Sequence, residues 1–351
     1  MNRERVFARI GVAALWIFGV GLLGALLVPV LGLAPLQASS GHWAATQWLL
    51  EFVKHRSVAT QSPNIEPPDL TDRGLVTLGA GHYETGCRVC HGAPGQAMPV
   101  VPGQALPPPP YLAEIAERYE PQELFFIIRH GIKFTGMPAW PAPERAEEIW
   151  AVVAFVELFP QLSASDYARW ISEGETSLAT RVPSAVREAC GRCHGQDGLG
   201  RVGEHAPILA GQKVEYLIHA LDAYATGQRP SGMMQPVAAR LSGAQRREVA
   251  AWYAARPAPK ASKPSGEGRA LVEQGVPARK IPSCVDCHRP EANPAYPLLD
   301  GQPGAYLRRQ LALFASGGRG GSDFAQLMEE VAVHALTARE IDAVVDYYAV
   351  E

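Results

Sequence analysis

The chain has 351 residues, room for two or three domains, and 47% of them are apolar, an ordinary share for a folded protein. Its formal charge of -3, from 32 Lys and Arg against 35 Asp and Glu, excludes a strongly basic surface, so nucleic acid is not an expected partner.

Arg3, Arg5 and Arg9 precede an uncharged run from Ile10 to Leu36, and no Asp, Glu, Lys or Arg follows Arg9 before Glu51. As a helix such a run is about 40 Å long, more than the roughly 30 Å hydrocarbon core of a bilayer. The basic flank predicts the N-terminus in the cytoplasm and everything after Leu36 outside. A cleaved signal has an apolar region of only about 7–15 residues, and Leu36-Gln37-Ala38 is a poor small-x-small cleavage site. Residues 1–36 are therefore expected to be a retained, single-pass anchor in the inner membrane.

Within 37–70, Trp43, Trp48, Leu49, Leu50, Phe52 and Val53 recur at roughly helical spacing and Lys54, His55 and Arg56 follow. Such a helix either lies at the outer membrane interface or packs on what comes next. Pro63, Pro67 and Pro68 then mark an extended linker.

The rest of the chain carries one pentapeptide three times, as Cys87-Arg88-Val89-Cys90-His91, Cys190-Gly191-Arg192-Cys193-His194 and Cys284-Val285-Asp286-Cys287-His288, and these use all six cysteines. Cys-x-x-Cys-His is the attachment pattern of haem c: both thiols form thioethers to the porphyrin, and the adjacent histidine ligates the iron. A zinc site needs four ligands, so each set would lack one. A thioredoxin-like dithiol belongs at a strand-to-helix junction, whereas each copy here follows helical or turn-rich sequence. The expectation is three covalently attached haem c groups, and their attachment requires an oxidising, periplasm-like compartment.

The first unit, 71–162, holds 6 basic and 10 acidic side chains, giving -4. Its 91–110 stretch is rich in Gly and Pro and reads as irregular. A short buried helix is expected over 120–130, and a final helix from about Glu144 with Ile149, Val152, Val153 and Val156 on one face. The second and third units, 163–257 and 258–351, are copies of one another. Pro207-Ile208-Leu209-Ala210-Gly211-Gln212 returns ninety positions later as Pro297-Leu298-Leu299-Asp300-Gly301-Gln302. At the same offset Tyr216 matches Tyr306, Tyr224 matches Phe314 and Arg229 matches Arg319. Residues 257–268, PAPKASKPSGEG, read as a linker between the copies.

A histidine ligand leaves one axial position per iron, and His/Met ligation suits electron transfer. Met137 is the candidate for the first unit. In the second, Met233 and Met234 are adjacent, and aligning Met234-Gln235-Pro236-Val237-Ala238 with Met328-Glu329-Glu330-Val331-Ala332 selects Met234 and Met328. His82, His130, His205, His219 and His334 recur at no common position and read as surface or hydrogen-bonded residues. Arg229 and Arg319 stand shortly before their methionines, where a guanidinium suits a haem propionate.

With these residues in hand, the chain resembles the class I cytochromes c. The 171–351 pair is similar to the diheme members built as two fused copies, on Cys284–His288, Gly301-Gln302, Tyr306-Leu307 and the closing Tyr348. The first unit is similar to monoheme domains of membrane-anchored bacterial cytochromes, on Gly131-Ile132-Lys133 and Gly136-Met137-Pro138-Ala139-Trp140. A glycine follows the haem histidine as Gly92 and Gly195, but Arg289 follows His288, a departure in the third unit. The resemblance implies an all-α protein: an N-terminal transmembrane helix followed by three small class I haem domains that carry single electrons and turn over no organic substrate. Expected partners are a respiratory electron donor and acceptor, drawn from oxidases, quinol-oxidising complexes and dehydrogenases. A cytochrome subunit of a terminal oxidase or periplasmic dehydrogenase is the alternative. A haem peroxidase or gas sensor would need an iron without a strong sixth ligand, against which the three methionines argue.

Overall fold

The computed structural model describes residues 3–33, 37–172, 182–261, 263, 266–321 and 323–350. Among these the chain is all-helical, with isolated bridges and no strand. The first helix, Arg3–Val30, contains a 22-residue apolar segment, Arg9–Val30, about 33 Å long and long enough to cross a membrane. Residues 34–36, where the uncharged run ends, lie outside the described residues.

The next helix, Ala44–Gln61, packs on the first unit at its C-terminal end. Toward its C-terminus Val58 is buried in the first core and His55 stacks on Tyr119 with ring centroids 5.4 Å apart. Trp43, Trp48, Leu49, Phe52 and Val53 remain exposed.

In the first unit Asp72 caps Arg73–His82 by accepting from the Leu75 amide at 2.8 Å. This helix crosses Ala146–Val156 so closely that a Cβ on Gly79 would lie 1.9 Å from the Ala151 carbonyl oxygen. Pro121–His130, started by Pro121 and a reciprocal Glu120/Glu123 cap, buries Leu124, Phe125 and Ile127 and stacks Phe125 on Trp150 of Ala146–Val156 with ring centroids 4.4 Å apart. The helix Ala164–Ser172, placed by the sequence in the second unit, also packs here: Tyr167 is buried in the first core and its hydroxyl donates to Glu84 Oε2 at 2.6 Å. Val202 and Ala206 enter the same core, so the first two units share a packed interior.

The two copies build matching twelve-residue helices, Val214–Ala225 and Gly304–Ala315, ninety positions apart. Each copy closes on a capped helix, Gly243–Ala254 and Ala338–Tyr348, that buries Tyr253 or Tyr348 in its own core. The linker between them turns back onto the third unit, where Lys263 Nζ meets Asp300 Oδ2 at 2.7 Å.

The copies meet through a reciprocal clasp. Gln302 donates from Nε2 to the Ile208 carbonyl at 2.8 Å and accepts at Oε1 from the Ile208 amide at 3.1 Å. Gln212 does the same to Leu298, at 2.9 and 2.7 Å. Both glutamines and both partners are aligned in the repeat, so the interface has the self-complementary form of a two-fold contact.

Candidate haem-binding sites

Each pentapeptide closes a short helix. In the first two units the approach loosens into a wide π-type turn, over Tyr83–Cys87 and Val186–Cys190, just before Arg88–His91 and Gly191–His194. Such turns spread side chains at functional positions. In the third, a fresh helix Cys284–His288 begins after Ser283 instead.

All three histidines are held alike. His91 Nδ1 lies 3.1 Å from the Pro110 carbonyl oxygen, His194 Nδ1 3.0 Å from that of Pro207, and His288 Nδ1 2.8 Å from that of Pro297. A carbonyl only accepts, so Nδ1 carries the proton and the Nε2 lone pair is left for a metal. Burial pushes all three imidazoles below the ordinary histidine range, against the carbonyl bonds, and keeps them neutral as ligands must be. Burial drives Cys87 and Cys190 up to about 12 and Cys193 and Cys284 up to about 11, opposite to the lowered values of a redox dithiol.

The glycine departure has a backbone cause. Gly92 and Gly195 leave the histidine at φ 69° and 74°, which a side chain disfavours, and their carbonyls accept from Tyr83 Oη and Tyr253 Oη at 2.9 Å. Arg289 leaves at φ -95°, ψ 163°, in extended backbone that any residue adopts. That shorter loop is held from the second unit, where Lys213 Nζ donates to the carbonyls of Arg289, Ala292 and Asn293 at 2.8–3.3 Å. Tyr348, the counterpart of Tyr253, is 1% exposed, and its hydroxyl has no hydrogen-bond partner among the described residues.

A cavity of about 350 Å³ runs through the second and third units. It brings together Cys190, Cys193, His194, Met233, Met234 and Arg229 from one and Cys284, Cys287, His288, Met328 and Arg319 from the other. Cys87, Cys90, His91 and Met137 lie outside it, and Met137 packs on the first core. Met233 also packs on that core. Met234 opens the helix Met234–Arg240, whereas Met328 sits inside Asp323–Ala335.

Arg229 and Arg319 are both buried and lie over aligned rings, Tyr224 at 4.4 Å and Phe314 at 5.1 Å. Both donate to Gln310 Oε1, at 3.1 and 2.6 Å, and among the described residues neither pairs with a carboxylate. Among the described residues Arg229 Nε has no hydrogen-bond partner, and burial together with the Arg229 charge pushes Arg319 down to about 10. Two buried cations beside a cavity call for anionic partners. The carboxylates of a porphyrin fit them, as the three prepared histidines fit its iron.

Of the spare histidines, half-buried His82 packs on Trp140, with ring centroids 4.7 Å apart, and desolvation pushes it down to about 4. His205 Nε2 lies 3.1 Å from Asp72 Oδ1, across the first and second units. His334 falls among residues whose side chains are not described. The proline carbonyls and both clasp glutamines escaped the sequence reading, although Pro207, Gln212, Pro297 and Gln302 stood in plain view in the repeat.

The profile of the family described as "Cytochrome C oxidase, cbb3-type, subunit III" matches residues 74–156. A thiosulfate dehydrogenase electron acceptor from Stutzerimonas stutzeri (strain A1501) is 35% identical over 208 residues, 57% of this chain and 92% of that protein. A cytochrome c4 from Pseudomonas aeruginosa is 30% identical over 170 residues, 46% of this chain and 84% of that one. Among solved structures, thiosulfate dehydrogenase (TsdBA) from Marichromatium purpuratum is similar at 38% identity and a TM-score of 0.42, over 51% of this chain and 38% of that one. The chain belongs to the class I cytochromes c and is an electron carrier with covalently bound haem c.

Proposed function

We propose that the protein is a membrane-tethered, periplasmic relay of three haems that takes electrons from a dehydrogenase of the thiosulfate-oxidising kind and passes them to a membrane oxidase. The observation that carries the reading is the triple recurrence of one arrangement: a Cys-x-x-Cys-His helix whose histidine is turned by a proline carbonyl. When bound, each haem supplies a one-electron couple; the chain supplies spacing, burial and axial ligands.

His91, His194 and His288 would ligate the three haem irons together with Met137, Met234 and Met328, and Arg229 and Arg319 would hold carboxylates at the distal pair. Contiguity supports a wire. The second and third beds open into one cavity, and a Cβ on Gly81 of the first unit would lie 3.3 Å from Cys193 Sγ of the second. The basic N-terminal flank and the 22-residue apolar segment support a single-pass anchor with its N-terminus in the cytoplasm. The electron-acceptor relatives support a dehydrogenase as donor. The oxidase-subunit match to residues 74–156 favours the first unit as the exit, and also a second reading in which the protein is an oxidase subunit.

The test is to mix the oxidised full-length protein with a thiosulfate dehydrogenase and thiosulfate, and then with oxidase-containing membranes. Reduction of all haems followed by oxygen-dependent reoxidation is expected. Co-purification in a fixed ratio with an oxidase would favour the second reading, and no reduction by the dehydrogenase would remove that donor.

A further inference from the structure

Glu148 lies on the Ala146–Val156 helix of the first unit and is 3% exposed. Its carboxylate accepts from Ser231 Oγ, from the Gly232 amide at 2.7 Å and from Trp140 Nε1 at 3.2 Å, and Arg145 lies 3.2 Å away. Burial raises its pKa, and Arg145, Ser231 and Gly232 oppose that rise by favouring the charge. A carboxylate this deep is costly unless it is paired and fully hydrogen-bonded, and here it is.

The donors come from two distant segments, each ending at a candidate sixth ligand. Trp140 follows Met137 by three residues, and Ser231 and Gly232 directly precede Met233 and Met234. Ser231 Oγ also accepts from the Met234 amide at 2.9 Å, so hydrogen bonds run from Glu148 through Ser231 to Met234. Trp140 covers the same turn, and a Cβ on Gly232 would fall 2.2–2.5 Å from its indole atoms. Arg145 Nη1 adds a bond to the Pro230 carbonyl at 3.3 Å. Met328, by contrast, is carried inside a helix of its own unit.

We propose that Glu148 is a positioning residue for the second haem, holding the Ser231–Met234 turn from the neighbouring unit so that the sixth ligand of one haem is set by the docking of another unit. The proposal rests on the methionine-ligated reading above. A methionine ligand raises a haem's potential, so loosening the turn lowers it.

The test uses the full-length holoprotein as Glu148→Ala, Glu148→Gln and Ser231→Ala, with the exposed Glu114→Gln as control and Met233→Ala and Met234→Ala as references. The readouts are haem content, the near-infrared sulfur-to-iron charge-transfer band and the potentials from an optical redox titration. Glu148→Ala and Ser231→Ala should remove part or all of the band share lost in the methionine reference and lower one potential of the three. Glu148→Gln, which keeps the shape and loses the charge, should move the same potential less, and Glu114→Gln should move none. If Glu148→Ala impairs haem attachment, the other two variants carry the comparison. An intact band and unchanged potentials in Glu148→Gln and Ser231→Ala, with full haem content, would overturn the proposal. If neither methionine reference changes the band, the ligand reading has failed and the proposal falls with it; the references separate the two failures.

Discussion

Gln212 and Gln302 face each other across the second and third units, each doing for the other's backbone what is done for its own. The first unit meets the second through contacts that have no such reciprocity: Glu148 on Ser231 and Gly232, Asp72 on His205, and Gly81 against Cys193. A duplicated sequence meets its copy by one self-complementary patch used twice, so every contact counts double. Two unlike units have no such economy, and here they join through a buried charge and a shared apolar core. The symmetric face is neutral amide to backbone and holds two alike carriers together. The asymmetric face reaches into the turn that carries Met233 and Met234.

The largest way to break this comparison is to remove the middle unit's haem. Cys190→Ser with Cys193→Ser should lower the haem count by one per chain and abolish electron passage between the third unit and the first. Haem quantitation and rapid-mixing reduction would report it, and undiminished reduction of the first haem would show that the units act separately. Next come the clasp residues. Gln212→Ala and Gln302→Ala each leave a backbone amide and carbonyl unpaired, half-buried at Leu298 and buried at Ile208, and should each cost about 1–3 kcal/mol in denaturant unfolding. Gln302→Ala should cost as much as Gln212→Ala or somewhat more; a large cost at one and none at the other would deny the two-fold character.

Gly81→Val tests the asymmetric face. A branched side chain 3.3 Å from Cys193 Sγ must push the units apart, at about 1–3 kcal/mol, and should slow exchange between the first and second haems while sparing the distal pair. The smallest expected effect lies far from both interfaces. Glu340, bonded to Arg279 and to the Thr337 amide, has its carboxyl lowered from 4.5 to about 2. The folded state then binds fewer protons than the unfolded one below about 4.5, so this contribution is present above that pH and is lost as pH falls toward 2. The pair is partly exposed, so the loss is slight. Glu340→Gln should flatten the acid limb of the third unit's stability profile, with a slight loss at neutral pH that vanishes as pH falls toward 2.

What was legible in the sequence follows the same division. The Cys-x-x-Cys-His copies, the apolar N-terminal helix and the offset of ninety were all visible because they are local patterns or repeats. The repeat even contained Gln212 and Gln302, although nothing local says that a glutamine reaches across to another unit. Glu148 was hidden more thoroughly. It sits on a helix whose apolar face reads as ordinary core, and two of its partners, Ser231 and Gly232, are more than eighty residues away. The helix Ala164–Ser172 was assigned to the second unit by its place in the chain, but Tyr167 finds its partner, Glu84, in the first. The exit at Arg289 looked like a defect in the motif until Lys213, from the other copy, was seen to hold that loop.

The most direct measurement of the central claim is the order in which the haems fill. The oxidised protein is mixed with a thiosulfate dehydrogenase reduced by thiosulfate, and the near-infrared band is followed through the first turnover in the parent chain and in Met137→Ala, which marks the first haem by its missing band. The account predicts that the distal pair is reduced first and that the band belonging to the first haem bleaches later, at a rate independent of dehydrogenase concentration. Reduction of the first haem ahead of the others, at a rate proportional to the dehydrogenase, would contradict it.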